Sequence, residues 1–247
     1  VGMTSQPFRQ FLMMIDHFDS LVRTAVILLM NLGYPDRLDI VRFLGESSLL
    51  ERPSLGSWVQ GLARVAKLRD SFEAYDLPAK LGKQIKRVVQ LENQNRIVLL
   101  RNEMRGHGYI QCEDHGYEAE AADLLPVLDE MERSLAPLFG AFRYVYVNDI
   151  RHEGSGNYRI SHMSLAGSNA AFVETETRRF FEFASDVPTH GKCYMVSDEG
   201  TKWISLDPYI LYGHCPECRH SRVLIYDGGA VYLDPFVGHR VKLSPTS

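Results

Sequence analysis

The residues best equipped for chemistry lie together in Leu99-Leu100-Arg101-Asn102-Glu103-Met104-Arg105-Gly106-His107-Gly108-Tyr109. There an apolar run gives way to an arginine, an asparagine and, five residues after the asparagine, a histidine between glycines. Arginine offers a permanent charge in a planar fork that matches phosphate oxygens, asparagine orients a hydroxyl, and histidine titrates near neutral pH. Together they suit chemistry on phosphate. Six residues at about 100° each would put Arg101 and His107 on different faces of a regular helix. A distorted last turn at Gly106, or a second chain, must bring them together.

The elements that have to position this segment read as helices. Phe8, Phe11, Leu12, Ile15, Phe18, Val22, Ala25, Val26 and Leu29 recur at three- and four-residue steps up to Gly33 and Pro35, one long buried stripe. A short segment near Leu38 to Leu44 follows. Ser54 caps a helix carrying Trp58, Val59, Leu62, Val65, Ala66 and Leu68. Pro78 opens one continuous helix from Leu81 through Ile85, Val88, Leu91, Ile97 and Leu100 to Met104, stopped by Gly106 and Gly108. A last helix, from about Glu118 to Leu138, is kinked or split at Pro126. Antiparallel helices joined by short loops make a bundle.

After Phe139 and Gly140 the period changes to alternation. Expected strands are Phe142 to Asn148, Tyr158 to Ser164, Tyr194 to Ser197, Lys202 to Leu206, Arg222 to Tyr226 and Val231 to Leu233, with turns at Gly154-Ser155-Gly156-Asn157 and Asp227-Gly228-Gly229. The chain therefore reads as α+β, with a helical bundle over residues 1–140 and a small β-rich domain over 141–247. No internal repeat is visible. Phe180, Phe181 and Phe183, after Arg178 and Arg179, either stack bases or pack in a core.

Composition is that of a soluble protein: of 247 residues 45% are hydrophobic and 23% charged, and no apolar run is long enough to span a bilayer. The net charge of −4 gives no global basic field of the kind that marks nucleic-acid binders. Locally, residues 78–107 are basic, with Lys86, Arg96, Arg101 and Arg105 among them, while residues 108–138 are acidic. The contrast fits a phosphate-tracking face in which Lys86, Arg96 and Arg105 bind RNA, or simply complementary helix faces. Val1-Gly2 ahead of Met3 reads as an addition before a natural start.

Four cysteines are too few for a disulfide framework and point to a reducing, cytoplasmic compartment. Cys215 and Cys218 form a Cys-x-x-Cys turn, half of a tetrahedral zinc site, with Cys193, His190, His220 and His239 as candidates for the remainder. The alternative is a reduced hairpin turn without metal. No strand-to-helix pattern surrounds the pair, which disfavours a thioredoxin-like role. Phosphate-loop, nucleophile-elbow and His-Glu-x-x-His motifs are absent.

The order Arg101-Asn102-x4-His107 at the end of a helix resembles the signature of the HEPN superfamily, small helical bundles that are often metal-independent endoribonucleases. The resemblance covers the first 140 residues, with Gly106 standing where a small residue such as alanine is expected. It implies a HEPN-like bundle acting as a homodimer on RNA. His107 would be the general acid or base, Arg101 would bind charge on the phosphorane, and Asn102 would orient the hydroxyl or the imidazole, leaving a 2′,3′-cyclic phosphate with no cofactor required. It also implies an effector of a bacterial toxin or antiviral defence system, with a regulatory protein or further domain as activator. The rival reading keeps the bundle as a noncatalytic dimerisation or regulatory module for a protein or nucleotide ligand.

Overall fold

The computed structural model describes residues 6–34, 36–51, 53–68, 75, 77–106, 114–165, 173–179, 187–200, 202–235 and 237–243. Chain contacts divide it into two compact units, Val1–Phe139 and Gly140–Ser247, one helical and one of antiparallel sheet, an α+β arrangement.

α1 (Gln6–Gly33) buries the expected stripe, and from Ala25 to Met30 every residue is enclosed. Each such Leu, Ile or Phe contributes about 1.5–3 kcal/mol by leaving water. α2 (Arg37–Glu46) is capped by Asp36, whose carboxylate accepts the Leu38 N–H at 2.7 Å. α3 (Leu55–Val65) is capped by Ser54, whose Oγ accepts the Ser57 N–H at 3.0 Å. α3 packs closely on α1 at Gly61, where a Cβ would stand 3.1 Å from Leu49 Cδ1 and 3.5 Å from Val26 Cγ1.

The single helix expected from Leu81 to Met104 is two. α4 (Leu81–Asn95) and α5 (Ile97–Gly106) are separated by Arg96 at φ 53°, in the left-handed region. The break satisfies its own backbone. The Arg96 N–H donates to Glu92 O at 2.7 Å, and the Glu92 carboxylate accepts the Val98 N–H at 3.3 Å in the role of a cap for α5. Burial pushes the Glu92 carboxyl above the usual carboxylate range, and the Val98 N–H opposes that shift.

α6 (Asp114–Phe139) lies against α1 and α4. It runs unbroken through Pro126, which sits on an exposed face where water can satisfy the carbonyl the proline ring leaves unpaired. The Arg87 guanidinium donates to Glu130 at 2.7 Å, one contact between the basic α4 and the acidic α6. Among the described residues no helix is long and apolar enough to cross a membrane.

The second unit holds two antiparallel sheets. The first has the order β3-β2-β1-β4-β5, with β1 (Phe142–Gly154), β2 (Asn157–Ser164), β3 (Val173–Arg179), β4 (Cys193–Ser197) and β5 (Trp203–Ser205). Val145, Val147, Ile160, Tyr194 and Val196 form its core, with Trp203 packed against them. The second has the order β6-β7-β8-β9, with β6 (Ile210–His214), β7 (Ser221–Tyr226), β8 (Val231–Leu233) and β9 (Arg240–Lys242). β3, β6 and β9 are additions to the expected strands. Its two end hairpins, β6–β7 and β8–β9, each close with a six-residue loop.

Candidate active-site helix and metal-ligating cluster

Arg101 lies on α5 and is buried, with a side chain one-tenth exposed. Its Nη2 donates to Asp19 Oδ2 on α1 at 3.3 Å. The same carboxylate accepts from the Nε of Arg23, one helical turn further along α1, and from its Nη2 at 3.1 Å. Arg23 is fully buried, its guanidinium 5.3 Å from the centroid of the Trp58 ring. Two guanidiniums thus share one carboxylate inside the helical unit, an arrangement that fixes α5 against α1.

Asn102, the next residue, is exposed. His107 lies outside the described residues, as do the side chain of Arg105 and the cluster Phe180, Phe181 and Phe183. Arg96 is exposed at the left-handed break between α4 and α5, and Lys86 is exposed on α4.

Asp19 was missed in the sequence, although a signal was there. Asp19 and Arg23 stand four residues apart on the same face as Ile15, Phe18, Val22 and Val26. Charged residues spaced like core residues announce a buried pair.

In the second sheet, Cys215, Cys218 and His239 offer ligand atoms that all lie within 4.8 Å of one another, a group able to hold a metal ion. Cys215 Sγ stands 3.5 Å from His239 Nδ1. Cys215 is fully buried, and Cys218 and His239 are half-buried. The Cys218 thiol is held below the usual range by the His220 backbone N–H and by the Cys215, Arg222 and His239 side chains, against the opposing effect of burial. A lowered thiol is a readier metal ligand, because the thiolate is the ligating form.

Cys193 does not join this group. It is a buried residue of β4 in the other sheet, opposite Tyr146, and burial pushes its thiol up to about 12. His190 and His220 also stand outside the cluster.

Both end loops of the second sheet share one backbone pattern. In the first, the Cys215 N–H donates to His220 O at 2.9 Å and the Arg219 N–H to Cys215 O at 2.8 Å. In the second, the Asp234 N–H donates to His239 O at 2.8 Å and the Gly238 N–H to Asp234 O at 2.9 Å. Asp234 is fully buried, 3.4 Å from Arg222 Nε. Comparison with family models, with curated proteins and with solved structures finds no match for this chain.

Proposed function

We propose that the helical unit is a HEPN-like bundle and a metal-independent endoribonuclease, working as a homodimer on RNA through Arg101, Asn102 and His107. The observation that carries this reading is the Arg-Asn-x4-His order that begins on α5, with Asn102 exposed. Asp19 holds the Arg101 guanidinium, Asn102 faces solvent next to it, and Gly106, the last described residue of α5, precedes His107, the titratable base of the motif, in the sequence. In this reading the substrate's own 2′-hydroxyl attacks the adjacent phosphate, His107 moves the proton, and Arg101 meets the charge that develops on the phosphorane. Lys86, Arg96 and Arg105 supply phosphate contacts along the strand. An effector of bacterial toxin or antiviral defence, cytoplasmic and with its own activator, is the setting this activity suits.

Incubation of the protein with mixed RNA in excess chelator, beside His107→Ala, tests it. Fragments ending in a 2′,3′-cyclic phosphate from the unaltered protein alone are the expected result. Absence of cleavage, or equal cleavage by His107→Ala, would overturn it. The burial of Arg101 favours a second reading, a noncatalytic dimerisation or regulatory module in which Arg101 serves the fold alone.

We also read Cys215, Cys218 and His239 as ligands of a zinc ion that ties the β8–β9 loop to the β6–β7 loop, a structural role separate from cleavage. Two thiolates and an imidazole suit zinc. One zinc per chain, lost in Cys215→Ser, is the expected metal content.

A further inference from the structure

The two end loops are versions of a single turn. The first reads Cys215-Pro216-Glu217-Cys218-Arg219-His220 and the second Asp234-Pro235-Phe236-Val237-Gly238-His239, with proline second and histidine sixth in each. Their first and sixth residues exchange the same backbone hydrogen bond, and their fifth residues, Arg219 and Gly238, have φ of 59° and 71°. Two turns of this kind facing each other could supply four ligands, two apiece. The positions that hold Cys215 and Cys218 in the first loop hold Asp234 and Val237 in the second.

Neither replacement completes a tetrahedron. Val237 has no donor atom and is exposed. The Asp234 carboxylate is turned to Arg222, and Arg222 in turn hydrogen-bonds Cys218, so the acid acts on the cluster through an arginine. The second loop contributes its sixth residue instead, His239.

Glu217 is placed for another task. Its carboxylate lies 3.6 Å from His239 Nε2, the ring nitrogen other than the one beside Cys215. That distance is longer than a hydrogen bond and puts a carboxylate on the ring edge away from Cys215, where groups that orient a histidine ligand stand.

We propose that the metal held by Cys215, Cys218 and His239 keeps its fourth position open, and that this position takes a donor from outside the chain, a thiolate above all. Among the described residues the cluster has these three ligands, and two of them, Cys218 and His239, are half-buried, so solvent reaches the residues that would hold the metal. Three protein ligands with a solvent-filled fourth position mark zinc that exchanges ligands rather than zinc that only braces a fold. A metal already bound by two sulfurs favours a further soft donor. In the exchange a thiol loses its proton to solvent, its sulfur bonds to the metal, and the bound water leaves. The inference rests on the zinc reading above.

Cobalt(II) in place of zinc makes the site visible in the full chain. We expect one cobalt per chain, with a thiolate-to-metal band that disappears in Cys215→Ser. Titration with 2-mercaptoethanol should shift the visible bands saturably and raise the thiolate-to-metal band by about half, in the ratio of three sulfurs to two, with the cobalt content unchanged after desalting. Bound cobalt whose bands ignore saturating thiol would show that the chain closes the site and would overturn the inference while leaving the zinc reading intact. Failure of the unaltered protein to bind cobalt or zinc would overturn both.

Discussion

Asp19→Ala is the substitution with the most to say about the motif helix. It removes the carboxylate that accepts from both Arg23, which is fully buried, and Arg101, which is one-tenth exposed. Removing one partner of a buried ion pair costs about 3–5 kcal/mol, because the remaining charge stays desolvated. Set against the 5–15 kcal/mol that is the usual stability of a whole domain, that is a large fraction. Arg101→Met is milder, since Asp19 keeps Arg23; the hydrogen bond to the Asp19 carboxylate, a bond to a charged group, is worth about 1.5–3 kcal/mol. The double substitution should fall short of the sum by about 1–3 kcal/mol, the coupling expected of residues in direct contact. The chain has two tryptophans, Trp58 beside Arg23 in the helical unit and Trp203 in the sheet unit. In a Trp203→Phe background, urea unfolding followed by Trp58 fluorescence reads the helical unit alone. A cost below about 1 kcal/mol for Asp19→Ala would refute the claim that this carboxylate fixes α5 to α1.

Three further outcomes are open to direct measurement. Glu92→Gln should keep the bond to the Val98 N–H and remove a carboxylate whose ionisation burial opposes. A raised folded-state pKa means that stability is highest below the ordinary glutamate value and falls as pH rises through the folded value, so the substitution should stabilise the protein at pH 8 more than at pH 4, by urea titration at the two pH values. In native protein Cys193, buried and pushed up to about 12, should resist iodoacetamide at pH 7.5 and react only in urea, as mass spectrometry of the digest would show; native modification would mean that β4 is not closed over it. A chelator should lower the melting temperature of the chain but not that of Cys215→Ser, by calorimetry; equal effects on both would remove any stabilising role for metal at that site.

Much of the helical unit was legible because its signals are local. The stripe of α1 and the caps Asp36 and Ser54 are periodicities and hydrogen bonds made within a few residues. The break at Arg96 was not legible, since neither glycine nor proline marks it. It depends on Glu92 reaching across the junction to Val98, a contact that exists only once the chain has turned. β6 and β9 escaped notice for a related reason. Ile210-Leu211-Tyr212-Gly213-His214 does not alternate and holds a glycine, Arg240-Val241-Lys242 has a single apolar residue, and their pairing with β7 and β8 supplies the order that their own composition lacks. Cys215 and Cys218 could be read from spacing, whereas choosing His239 over Cys193 required knowing which sheet each strand joins.

The likeness of the two end loops carries the same lesson further, because it is plain in the backbone and faint in the side chains. Proline and histidine are all that Cys-Pro-Glu-Cys-Arg-His and Asp-Pro-Phe-Val-Gly-His have in common, too little to register as a repeat in a chain of 247 residues. What they share is the pair of hydrogen bonds across the turn and a fifth residue in the left-handed region, which Gly238 adopts without strain and Arg219 adopts at a steric cost. A costly conformation at Arg219 is tolerated where it delivers the neighbouring Cys218 to the same point as Cys215 and His239. Arg219→Gly should therefore leave metal binding unchanged and relieve strain at that turn. Arg219→Val, whose branched side chain is worse suited to that region, should weaken metal binding together with stability. Metal affinity that is indifferent to both would mean that the turn does not position Cys218.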